Sequence, residues 1–191
     1  MDRYINTPTN NEIIKELHAG DYVYITGTIY TARDAAHKRL YESMIKGEQP
    51  PFDLNNSIIY YLGPTPEREG QVIGAAGPTT SSRMDKYTPL LLENGLKGMI
   101  GKGKRSEEVI RSIIKNKGIY FAAVGGAGAL LSQKIVTSKV IAYDDLGTEA
   151  IRELYVKEFP VIVIIDNEGC DFYETATKDY CTSTKIGGNS V

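Results

Sequence analysis

A chain of 191 residues with a formal net charge of -2 is long enough to bury a full core and fits one domain better than two. Its 41% hydrophobic and 24% charged residues suit a globular protein, with no apolar run to cross a bilayer and no basic surplus to hold nucleic acid. Any anion site must be local, and two cysteines, Cys170 and Cys181, make neither a disulfide framework nor a zinc or iron-sulfur ligand set by themselves.

The start, MDRYINTPTNNE, lacks the basic-then-apolar pattern of a secretory signal, which predicts a cytoplasmic chain. In residues 10–19, Ile13, Ile14 and Leu17 share one helical face, and Gly20 offers a C-terminal cap. DYVYITGTIY alternates as a strand does, and Thr31-x-x-Asp34 predicts a capping box for a helix over TARDAAHKRLYESMIKG. Residues 48–57 read as a loop, SIIYYLG as a strand, PTPEREG as a turn and QVIGAA as another strand. Thr88 and Pro89 read as the N-cap and first residue of a short helix that stops at Asn94-Gly95. LKGMIG is strand-like. Ser106 caps SEEVIRSIIKNKG, whose Val109, Ile110, Ile113 and Ile114 form one apolar face.

IYFAAV, KVIAY and PVIVIID read as buried strands, separated by the glycine-rich GGAGALLSQ and by GTEAIRELYV, whose apolar spacing is helical. Strands alternating with helices predict an α/β fold with a mixed sheet in one domain over residues 1–175, and residues 176–191 read as a polar tail.

Three cations, Arg33, Arg83 and Lys102, fall between a strand and the start of a helix in this reading. A cation there opposes the helix dipole unless an anion is bound between them. Solvated surface cations at helix starts are the simpler account of any one of them. As a set, flanked by glycines and hydroxyls, they can clamp a ligand with two carboxylates, because a guanidinium grips a carboxylate in a bidentate fork. The run Thr79-Thr80-Ser81-Ser82 in GPTTSSRMD is either turn chemistry or a source of a proton-transfer hydroxyl, which needs a neighbouring carboxylate or a strong positive field to act. His37, four residues after Arg33, either faces the same site or packs in the core. GMIGKGKR matches the spacing of a phosphate-binding loop but has Arg105 where magnesium needs a Ser or Thr.

TARDAAHKR (31–39), GPTTSSRMD (77–85), MIGKGKRS (99–106), VGGAGALL (124–131) and LGTEAI with FPVIVIID (146–166), in that order, resemble the β subunit, or C-terminal domain, of the class I iron-sulfur hydro-lyases, fumarate hydratase and L-tartrate dehydratase. The resemblance covers about residues 10 to 175. It implies a swivelling β/β/α domain that works with an α subunit in an α2β2 assembly, the α subunit holding the [4Fe-4S] cluster. It also implies that Arg33, Arg83 and Lys102 bind a small dicarboxylate and that Thr79 is the base, with His37, Asp34 and Thr80 as supporting neighbours. Ser81-Ser82 and Lys104 depart from the fumarase pattern, while Arg105-Ser106 and Met84-Asp85 keep it and favour fumarate over tartrate. A non-catalytic anion-binding or regulatory module is the competing class.

Overall fold

The computed structural model of the chain describes residues 2–123 and 128–176. In chain order it contains strand β1 (Asp2–Thr7), helix α1 (Asn11–Lys15), β2 (Tyr22–Thr31), α2 (Asp34–Ile45), β3 (Ile58–Tyr60), α3 (Thr88–Glu93) and β4 (Gly98–Gly101). Then come α4 (Glu107–Asn116), β5 (Ile119–Ala122), α5 (Gly128–Ser132), β6 (Ile135–Ala142) and β7 (Ile151–Ile165). Two 3-10 turns, Ser81–Met84 and Asp144–Glu149, complete the set. No helix among the described residues is long and apolar enough to cross a membrane.

The mixed sheet closes on itself. β2, β3, β4 and β5 run parallel in that order, and β7 pairs antiparallel with both β5 and β2, which turns the row into a ring. β1 extends β2 in parallel, and β6 pairs antiparallel with β7. A closed ring needs side chains that fill it from alternate positions. Ile58, Tyr60, Ile100, Ile119 and Phe121 join Ile25, Ile29, Phe159 and Val161 in one inner cluster. Their neighbours Ile59, Met99 and Tyr120 join a second, outer cluster with Leu40 of α2, Leu91 and Leu92 of α3, and Val109 and Ile113 of α4. Each such aliphatic or Phe side chain is worth about 1.5–3 kcal/mol when taken fully out of water, so the two clusters hold the strands and helices in one layered α/β body.

Five local expectations fail, each for a visible reason. The leading helix ends at its C-cap Glu16 rather than at Gly20, whose N bonds to Val163 O at 2.9 Å beside β7. GTEAIRELYV is not a helix: a 3-10 turn ends at Glu149 and β7 begins at Ile151. Ile151 belongs to the outer cluster and Leu154 to the inner one, so their three-residue spacing serves opposite faces of a strand rather than one face of a helix. QVIGAA is not a strand. Ala75 N bonds to Thr65 Oγ1 at 2.9 Å and Ala76 N to Gly128 O at 3.0 Å, which folds the segment onto a neighbouring turn and onto α5.

Thr31 opens no capping box. It is buried as the last residue of β2, donating to Ala150 O at 3.4 Å and accepting from Arg152 N at 3.0 Å, while Arg33 is the α2 N-cap and its side chain makes no capping bond. Thr88 lies inside α3, one residue after the cap at Tyr87, and donates to Met84 O at 3.0 Å. β1, unforeseen, adds an outer strand whose Tyr4 stacks on Tyr24 of β2. Ser106 caps α4 as expected, accepting from Val109 N at 3.4 Å. Residues 124–127 of the glycine-rich stretch and 177–191 of the predicted tail, with Cys181, lie outside the described residues.

Candidate functional site

Parallel strands deliver their C-terminal loops to one edge, which is where α/β sheets bind ligands. β2 ends at Thr31 just before Arg33, β3 at Tyr60 before Gly63, and β4 at Gly101 before Lys102. The hydroxyl run is laced onto this rim by its backbone. Thr79 N bonds to Tyr61 O at 2.8 Å, Ser81 N to Lys102 O at 2.9 Å and Lys102 N to Thr79 O at 3.3 Å. The segment thus sits between the extensions of β3 and β4, and Lys102 is placed beside it.

Arg83 follows no strand; it lies in the 3-10 turn Ser81–Met84. The structure nonetheless brings it to Arg33, because both guanidinium groups meet Asp34. Arg33 Nε lies 3.3 Å from Asp34 Oδ2 and Arg83 Nε lies 3.3 Å from Asp34 Oδ1. Glu149 adds a second carboxylate, with Oε1 3.4 Å from Arg33 Nε and Oε2 accepting from Ala35 N at 2.7 Å. These two acids resolve the unfavourable placement of a cation at the start of α2. The Arg33 and Arg83 side chains stay 26% and 48% exposed. Two partly exposed guanidinium groups thus flank one carboxylate.

The four hydroxyls are not equivalent. Ser81 is buried with its Oγ 2.8 Å from Tyr120 OH, and since Tyr120 spends its hydrogen on Gly103 O, also at 2.8 Å, Ser81 is the donor. Burial raises the Tyr120 pKa, so its phenol stays protonated. Thr80 and Ser82 are exposed, and Thr79 is half-buried with its backbone fixed from both sides.

His37 is a packing residue. It is fully buried, with Nδ1 3.1 Å from Arg33 O, its ring edge-on to Tyr61 and stacked near Tyr87. Burial pushes its pKa down to about 4, and its Nε2 has no partner among the described residues. It is therefore neutral at pH 7 and lies beneath the rim rather than on it.

Arg105, noticed in the sequence only as a mismatch to a phosphate loop, anchors the floor of the site. Its Nε donates to Asp85 Oδ1 at 2.7 Å and its Nη2 to Thr88 Oγ1 at 2.7 Å, and its guanidinium lies against the rings of Tyr61 and Tyr120. Asp85 Oδ2 accepts from Ser106 N at 2.7 Å, which ties the turn carrying Arg83 to the start of α4. Glu149 was also missed. The sequence carried no signal for it, because Thr31-x-x-Asp34 already offered a cap for α2 that the structure does not use.

Among the described residues no group of three or more His, Cys, Asp or Glu could hold a metal ion. Cys170 is exposed, and its thiol pKa is pushed up by desolvation and then by Asp166, Asp171 and Glu168, away from the thiolate that metals bind. These residues do not fit an iron-sulfur cluster. A cleft of about 320 Å³ is lined by Thr65, Arg68, Gln71 and Ser132 and by neither arginine of the pair.

Residues 3–176 match the family model described as "Fumarase C-terminus". The chain is 38% identical over 160 residues to "Fumarate hydratase class I, aerobic" of Escherichia coli K12, covering 83% of this chain and 29% of that protein. It is 35% identical over 162 residues to "Fumarate hydratase 2" of Leishmania major, covering 84% of this chain and 28% of that protein. It is 38% identical over 184 residues to "Putative L(+)-tartrate dehydratase subunit beta" of Methanocaldococcus jannaschii, covering 93% of this chain and 94% of that protein. The chain thus spans less than a third of the fumarate hydratases and nearly all of the tartrate dehydratase subunit. With the family model matched from Arg3 through Ala176, the chain belongs to the Fumarase C-terminus family.

Proposed function

We propose that this chain is the β subunit of a class I fumarate hydratase, interconverting fumarate and (S)-malate with an α subunit that carries the [4Fe-4S] cluster. The observation that carries the reading is the pair Arg33 and Arg83, drawn together by Asp34 and both partly exposed, on the rim that also bears Lys102 and Thr79. Two guanidinium forks and an ammonium suit a small molecule with a carboxylate at each end. Thr79 takes the C3 proton; a hydroxyl is a weak base, and a carboxylate contributed by the α subunit is what lets it act. Residues 1–175 form the catalytic domain, which swivels against the partner in an α2β2 assembly in the cytoplasm, and 176–191 form its tail.

A second reading, L-tartrate dehydratase β subunit, has support of its own, because the relative of that name matches over almost its full length. Anaerobic reconstitution with the α subunit, followed by dehydration assays on malate and on tartrate, tests both. Faster turnover of malate is expected. Preference for tartrate moves the assignment to the second reading, and inactivity on both with the cluster loaded leaves an anion-binding module.

A further inference from the structure

Glu149 comes from the 3-10 turn before β7, and the carboxylate it lends to Ala35 crosses a separation of 114 residues. Its oxygens divide their work, Oε2 accepting from Ala35 N in the first turn of α2 and Oε1 facing Arg33 Nε. The Arg33 stem lies over Gly63, where a Cβ would stand 2.6 Å from its Cδ, 2.7 Å from its Nη1 and 3.3 Å from Thr148 O, the carbonyl next to Glu149. Arg33 is thus held along its Nε edge by two acids and seated over a glycine, with its side chain still 26% exposed. Arg33, Arg83, Asp34 and Glu149 together sum to zero formal charge.

From this arrangement we propose that Glu149 is the positioning residue of the arginine pair and a filter on its ligands. It aims the Arg33 fork, and its charge cancels field that would otherwise draw in any anion. An anion that meets only the field gains little, whereas a dicarboxylate spanning both forks gains bidentate bonds. The ligand class rests on the hydro-lyase reading; the role of Glu149 toward Arg33 does not.

The test uses the full chain with Glu149→Gln, which keeps an acceptor for Ala35 N but removes the charge. In the reconstituted pair, kcat is expected to fall about 10-fold while inhibition by inorganic phosphate tightens about 5-fold, opposite movements that a merely structural role does not produce. Gly63→Ala serves as the contrast, because it displaces Arg33 at constant charge: kcat should fall with no tightening toward phosphate. On the chain alone, the Arg33 Nε–H resonance should exchange with water at least about 5-fold faster in Glu149→Gln than in the parent. Parental kcat and phosphate inhibition in Glu149→Gln, or equal Nε–H exchange in the two proteins, overturns the proposal. If the parent pair has no hydro-lyase activity, the functional reading fails, and the exchange rates still decide the role of Glu149.

Discussion

Arg105 and Asp85 form a buried ion pair, 2.7 Å from Nε to Oδ1, with the arginine side chain closed to solvent. Around it, Thr88 and two tyrosine rings take up the rest of the guanidinium. Removing one partner of such a pair strands the other charge, a loss on the order of 3–5 kcal/mol. Asp85→Ala is expected to lower unfolding stability by that much in urea titrations, whereas Lys115→Ala, which breaks the exposed pair with Glu93, should cost about 0.2–1 kcal/mol. Equal losses in the two variants would refute the anchoring role of Arg105.

Arg83→Lys keeps the charge near Asp34 but removes the guanidinium fork. Affinity of the reconstituted pair for succinate, an unreactive dicarboxylate, should weaken by about 1.5–3 kcal/mol, measured by competitive inhibition. Unchanged succinate inhibition would mean that Arg83 contributes field alone.

Thr79→Val and Ser81→Ala separate chemistry from support in one short segment. Thr79→Val should cut kcat by about 100-fold or more with succinate affinity kept. Ser81→Ala deletes the donor to Tyr120 and should lower stability by about 1 kcal/mol. Near-normal turnover in Thr79→Val removes the threonine from the proton transfer.

His37 predicts a pH dependence of stability. Its folded pKa of about 4 lies below the unfolded value of 6.5, so the unfolded chain binds the extra proton first as pH falls. The His37 contribution is fully present above pH 6.5 and is lost progressively down to about pH 4, amounting to roughly 3 kcal/mol. His37→Phe, which can retain the ring contacts with Tyr61 and Tyr87, should flatten the decline between those values when urea midpoints are followed against pH. An equally steep decline in the variant would assign it to carboxylates.

Local chemistry was readable where one residue acts on its neighbours. Ser106 announced α4, and the short apolar runs SIIYYLG and IYFAAV announced two strands of the ring. Reading failed where a residue answers to something distant. Ile151 and Leu154 mimic a helix because the sheet is buried on both faces, and Thr31 mimics a cap because its hydroxyl serves the backbone of residues 150 and 152. The arginine pair was legible as a set of cations, but Asp34 as its bridge and Glu149 as its second acid were not, since the fold alone juxtaposes them. His37 could not be assigned from spacing, because a helix position four residues from Arg33 faces Tyr61 instead of the rim.

Because β7 closes the ring, the arginine rim is completed only after all of its own residues have been made. Arg33, Gly63, Thr79, Arg83 and Lys102 are all polymerised before Ile151, yet β2 and β5 have no β7 partner until Ile151–Ile165 has left the ribosome. Until then the nascent chain carries open strand edges and an uncovered apolar interior, the state most prone to pair with other chains. Ribosome stalling just upstream of residue 151 would leave the rim residues translated but their barrel open, so chaperone demand should peak there and fall once β7 emerges.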